Sequence, residues 1–214
     1  MNGAPGLTFL ELTAASAVVA FLILVLFRDS IIPREGSLRT QATSVEMSIM
    51  AAMESYKAEY GKYPATSSDL RDTLWGDPVR GASLSPAPID NSHLFNVLRD
   101  IPDPSGNKDH QGNPRRVIFY QGMEVRNPSS PKSGFHNGAF FDPWGTQYFV
   151  IEDTNSDHHI QVDSIYKDFQ GKLPETEIGI FSFGRDRQLG SPAKGMSNMY
   201  QSGDKISDDV ISWQ

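Results

Sequence analysis

Hydrophobic and polar positions change their rhythm twice along this chain. Gly6–Phe27, GLTFLELTAASAVVAFLILVLF, is almost wholly apolar, and between Ala14 and Phe27 the only polar side chain is Ser16. At about 1.5 Å per residue, Leu7–Phe27 is long enough to cross a hydrocarbon layer of roughly 30 Å. The run predicts a membrane-spanning helix rather than a core helix, which would alternate with polar positions. Arg28–Gly36 breaks it with Asp29, Ser30, Pro33 and Gly36. From Ser37 to Tyr60 the period becomes helical. Leu38, Ala42, Val45, Ile49, Met53, Tyr56 and Tyr60 recur at three- and four-residue steps, a single apolar stripe that predicts a helix packed on a sheet. Gly61 is placed as its C-cap residue, and Tyr63-Pro64 stops it.

Beyond Pro64 the pattern shortens. Ser67-Ser68-Asp69-Leu70 predicts a capped short helix through Trp75, Gly76–Asp90 a surface loop, and Asn91–Arg99 another helical turn or two. Asp103–Pro114 carries turn chemistry. Strands are predicted over Val117–Gln121, Gln147–Glu152, Ile160–Val162 and Gly179–Phe183, the middle two as a hairpin around Asp153–His158. Phe140-Phe141-Asp142-Pro143-Trp144-Gly145 reads as a tight turn in which Pro143 and Gly145 bend the chain and Trp144 covers the core.

Composition narrows the function. The formal net charge of −7 argues against a general nucleic-acid surface, which would need clustered Lys and Arg. With no cysteine there is no disulfide framework, thiolate metal site or Cys nucleophile. Gly 18 and Pro 14 fit a loop-rich domain with a modest sheet. His93, His110 and His136 lie in scattered loops, and no Ser-His-Asp arrangement, phosphate-binding glycine loop or zinc motif stands out, so catalysis is not expected.

A carboxylate at the depth of Glu11 costs several kcal/mol unless it is paired, so it calls for a partner. The sequence Gly6-Leu7-Thr8-Phe9-Leu10-Glu11-Leu12 resembles the prepilin N-terminal motif of type IV pilins and type II secretion pseudopilins. That resemblance implies cleavage between Gly6 and Leu7, N-methylation of Leu7, and pairing of Glu11 with the N-terminal amine of a neighbouring subunit. The leader Met1–Gly6 departs from the family in having no basic residue, and Arg28 lies on the far side of the apolar run. A second match is Tyr56-Lys57-Ala58-Glu59-Tyr60-Gly61-Lys62-Tyr63-Pro64, similar to the end of the long helix in major pseudopilins; a third is Asp142-Pro143-Trp144-Gly145 before the sheet.

The last segment carries the candidate chemistry. Asp186, Asp204, Asp208 and Asp209 sit on a glycine-punctuated stretch whose ends would meet if they pair as strands, and hard cations such as Ca²⁺ take six to eight oxygens on irregular loops. Major pseudopilins bind Ca²⁺ in a similar loop, and by that resemblance Asp186 and Asp209 lead as ligands, with Asp204 and Asp208 behind them. Arg185 and Arg187 offer the alternative of salt bridges to the aspartates. Asp153-Thr154-Asn155-Ser156-Asp157 opens like an EF-hand loop but has His158 where glycine is needed, so it reads as a hairpin turn. His158 and His159, adjacent on a strand, would point to opposite faces.

The resulting expectation is an α+β, pilin-like chain: a long N-terminal helix, membrane-spanning in its first half, packed on a small antiparallel sheet. Its parts would be a leader over 1–6, a transmembrane and filament-core helix over 7–27, its periplasmic continuation over 28–64, and a soluble domain over 65–214. The resemblance implies a structural subunit of a type II secretion pseudopilus that polymerises with itself to drive protein export. Its partners would be other pseudopilins, the inner-membrane assembly platform, prepilin peptidase and the membrane, but no nucleic acid. It would sit as a single-pass protein in the bacterial inner membrane with its C-terminal domain in the periplasm. A type IV (minor) pilin, a membrane-tethered periplasmic binding domain and a Ca²⁺-binding adhesin are the alternatives.

Overall fold

A computed structural model describes residues 9, 13–22, 35–65, 71–104, 106–129, 132–172, 174–190, 199–202 and 205–213. The chain divides into two compact units, Met1–Ser37 and Leu38–Gln214.

In the first unit residues 13–22 are helical and exposed. Ten residues rise only about 15 Å, half of a hydrocarbon layer. The rest of the apolar run, and with it Gly6, Leu7 and Glu11, lies outside the described residues. Among the described residues no helix is long and apolar enough to cross a membrane. The expectations of a long, membrane-spanning N-terminal helix and of a single-pass inner-membrane location are corrected accordingly.

Helix α1, Glu35–Tyr60, is the long helix of the structure, and its composition explains why it cannot span. It carries Glu35, Arg39, Glu46, Glu54, Lys57 and Glu59 along its length. Ala42, Ile49, Ala52, Met53 and Tyr56 form its buried face, as the three- and four-residue steps predict, and Glu46 is buried with them. Glu35 in the first turn and Lys57 in the last complement the helix dipole. Gly61 ends the helix at φ +72°, a conformation that favours glycine, and its N–H donates to the Lys57 carbonyl at 2.7 Å.

The remainder builds strands β1 (Thr73–Gly76), β2 (Ile89–Asp90), β3 (Gly134–His136), β4 (Ala139–Phe141), β5 (Phe149–Glu152), β6 (Ile178–Ser182), β7 (Gln201–Ser202), β8 (Lys205–Ile206) and β9 (Val210–Ile211). Helix α2, Asn91–Leu98, follows β2 and is capped by Asp90, whose side chain accepts from the Ser92 N–H. Five strands make the main sheet in the order β2-β1-β5-β6-β9, while β3-β4 and β7-β8 are separate hairpins. β2 runs parallel to β1 and the other pairs are antiparallel, so the sheet is mixed rather than wholly antiparallel.

Strand alternation sorts the core into two. Tyr148, Val150, Ile178 and Ile180 share a cluster with Ile49, Met53 and Tyr56 of α1 and with Leu94, Phe95 and Leu98 of α2. Phe149, Ile151 and Phe181 join the other cluster with Leu74, Phe183, Tyr166 and Ile211. Phe149 stacks on Phe181 and Phe183 at centroid distances of 4.9 and 4.5 Å. Gly76 makes room for this stack, since a Cβ there would lie 2.1 Å from the Phe149 ring. Gly76→Ala is therefore expected to cost about 1–3 kcal/mol, read as a lower denaturant midpoint at unchanged slope.

Three local expectations fail for nonlocal reasons. Thr73–Gly76 is a strand rather than the end of a helix, because it pairs with both β2 and β5; residues 66–70 lie outside the described residues. Val117–Gln121 is extended but belongs to no strand, and the N–H groups of Phe119 and Tyr120 both donate to the Leu98 carbonyl. Ile160–Val162 does not return against β5. Its place is taken by β6, in register Phe149↔Phe181 to Glu152↔Ile178.

Candidate metal centre

The chain reverses after β6 through a turn whose Gly184 has φ +63° and approaches the Asp208 carbonyl so closely that a Cβ would lie 2.2 Å from its oxygen. That approach sets Asp186 beside the segment leading into β9. Asp186, Asp208 and Asp209 each present a carboxylate oxygen within 4.8 Å of the others. The structure thus brings together three of the four aspartates predicted from sequence, while Asp204 lies outside the described residues.

Hydrogen bonds fix the three carboxylates unequally. Asp208 accepts from the Asp186 N–H at 2.9 Å. Asp186 accepts through Oδ1 from the Gln188 N–H at 2.8 Å, and its other oxygen is buried with no partner. Asp209 is fully buried. Its Oδ2 accepts from the Tyr166 hydroxyl and the Gly190 N–H, both at 2.7 Å, and its Oδ1 has no partner. Burial pushes the Asp209 carboxyl up to about 7 against the pull of those donors. Burial also raises the Asp186 carboxyl, helped by the Asp208 charge and opposed by Arg185. Neither Arg185 nor Arg187 forms an ion pair with these aspartates among the described residues.

Two buried, partnerless oxygens beside a third carboxylate are a donor set suited to a hard cation, which would neutralise charges that burial otherwise penalises. Asp186, Asp208 and Asp209 could hold it. From α1, Arg39 donates to the carbonyls of Asp208 at 2.9 Å and Asp209 at 3.2 Å, tying the cluster's backbone to the helix. Sequence reasoning missed Arg39 and Tyr166, which reach the cluster from distant parts of the chain. It also passed over Glu46, although that residue falls on the apolar stripe between Ala42 and Ile49.

Asp153, His158 and Glu177 form a second close group. Their atoms are already engaged. Asp153 accepts from the N–H groups of Ser156, Asp157 and His158, making the segment a carboxylate-capped loop. Glu177 pairs with the Lys57 ammonium and accepts from Tyr63 and His158. His159 turns instead toward the Pro174 carbonyl, so the two adjacent histidines do not converge. With an ammonium on its carboxylate this group is a salt-bridge network linking α1 to the loops.

No protein-family model, no curated protein and no solved structure matches this chain, so the methylation motif and the pilus and secretion-system membership expected from sequence find no support in known relatives.

Proposed function

We propose that this chain is a structural subunit, not an enzyme, which polymerises with its own kind into a pseudopilus-type filament serving protein export, and whose C-terminal segment is stiffened by a hard divalent cation, Ca²⁺ above all. The observation that carries the reading is the Asp186–Asp208–Asp209 cluster, with two buried oxygens left partnerless where the C-terminal segment is tied to α1. A cation there would stiffen the C-terminal segment where Arg39 ties it to α1. Glu11, a lone carboxylate in an apolar run, is the residue through which polymerisation is proposed.

Two measurements separate the parts of this reading. Calorimetric titration of the full chain with calcium is expected to show saturable binding that Asp209→Asn weakens about tenfold or more. Electron microscopy of cells producing the protein is expected to show filaments that Glu11→Ala abolishes. Absence of binding at millimolar calcium overturns the cation. Filaments unaffected by Glu11→Ala overturn assembly through that residue.

A further inference from the structure

Glu46 is fully buried on α1, and neither of its carboxylate oxygens has a hydrogen-bond partner. The turn between β4 and β5 packs on the same helix through Trp144 against Ala42, and in it Asp142, whose charge acts on Glu46, is also fully buried but saturated with donors. Its Oδ1 accepts from the N–H groups of Trp144 at 2.9 Å and Thr146 at 2.8 Å, and its Oδ2 from the Ser182 hydroxyl. Two carboxylates close together in low dielectric cannot both ionise cheaply, and the one with donors keeps the charge. Asp142 is therefore the anion and Glu46 the neutral acid.

We propose that Glu46 is a proton-operated latch between α1 and the 142–146 turn: neutral, it lets the helix seat against the turn; ionised, it forces that seam open and releases its proton to solvent. The turn's Trp144 indole N–H and Thr146 hydroxyl are also buried and partnerless, and neither bonds Glu46. Among the described residues no ion pair reaches Glu46. Arg39, two turns earlier on α1, is the cation that acts on Glu46, but its guanidinium is committed to the carbonyls of Asp208 and Asp209. The other groups that feel Glu46 are Tyr148, Tyr166 and Tyr200, whose hydroxyls burial keeps neutral. Burial first, then the Asp142 charge, raises the Glu46 carboxyl well above its ordinary range. Ionised Glu46 would compete for Arg39 and draw it off the C-terminal segment, so opening the latch loosens both ends of the seam. The inference goes beyond the filament reading and stands whether or not a cation binds.

The test is amide hydrogen exchange of residues 142–146 and 208–211 in the full chain, with chelator present, between pH 6 and 9. After correction for intrinsic exchange chemistry, protection is expected to fall by up to about tenfold per pH unit as pH rises from the ordinary glutamate value toward the raised native midpoint of Glu46. Glu46→Gln, which keeps the shape and cannot ionise, is expected to lose clearly less protection over that range, the remainder coming from the other raised carboxyls. Parallel loss of protection in the two proteins overturns the latch. Should Glu46→Gln not fold, the Glu46 carboxyl carbon can be followed by NMR in the unmodified chain, where a midpoint in the ordinary carboxylate range overturns it equally.

Discussion

Asp142→Ala is expected to destabilise the domain by roughly 3–5 kcal/mol, enough to unfold much of a protein of ordinary stability. The side chain holds its turn together alongside the backbone bonds between Asp142 and Thr146. Removing it strands the N–H groups of Trp144 and Thr146 and the Ser182 hydroxyl, all of them buried. Loosening the turn also frees Trp144, which clusters with Ala42 of α1 and Val210 of β9, so one substitution reaches the helix and the edge strand together. Asp142→Asn should cost clearly less, because its amide oxygen can serve the two N–H groups and its NH₂ can donate to Ser182. Urea midpoints decide the matter: similar small losses for both variants would show that the turn does not depend on the carboxylate.

Stability is expected to fall as pH rises from about 5 to about 9. Burial raises Glu152 to about 8, Asp209 to about 7, and Asp142 and Asp72 to about 6. Each of these binds its proton more tightly in the native state than in the unfolded chain. Between the unfolded value near 4 and the native value the folded protein holds the extra protons, so each pH unit gained there lowers the unfolding free energy. Glu152 has the largest single share among the valued groups, at most about 5 kcal/mol for its shift. It is fully buried, and only one of its oxygens is served, by the Ala65 N–H at 3.0 Å. Glu177 acts in the opposite sense. Lys57 leads in lowering its carboxyl to about 2, so the stability it adds is present above the unfolded value and is lost as pH falls through the acid range. The two slopes predict a melting temperature that peaks near pH 5 and declines on both sides. Glu152→Gln should flatten the alkaline limb specifically, and an unchanged limb would assign the decline elsewhere. Added calcium, by holding Asp209 ionised at no cost, should raise stability more at pH 8 than at pH 5.

What the sequence made legible follows from how local each signal is. Helix α1 is set by a stripe contained in its own residues and by Gly61, and it begins two residues before the expected Ser37. Strands β5 and β6 are short apolar runs bounded by turn residues, and both lie where the pattern puts them. Their pairing is not local. An alternating run at Ile160–Val162 looks like the natural partner of β5, but the Asp153 carboxylate wraps the intervening loop and leaves the edge to β6. The cluster of Asp186, Asp208 and Asp209 was legible because carboxylates on a glycine-rich stretch converge when their flanks pair. Arg39 and Tyr166 were not, since nothing in their own neighbourhoods says that they reach across the fold. The apolar run over Leu7–Phe27 gave the strongest local signal of all, yet the described helical part, residues 13–22, is too short to serve as a span.

Arg39 and its acceptors at Asp208 and Asp209 are separated by nearly the whole length of the domain, and β9 takes its place at the sheet edge only through β6. During synthesis the ribosome delivers α1 early and its fastening point after every other described strand. The Arg39 end of the helix must therefore wait, with Leu38 and Ala42 lacking their Val210 cover, until that segment is made. Closures between such distant segments are slow, and waiting intermediates expose surface that chaperones recognise and aggregation exploits. Producing cells should thus tolerate a lowered rate of synthesis better than a high one, because yield depends on how many waiting chains meet one another before β9 arrives.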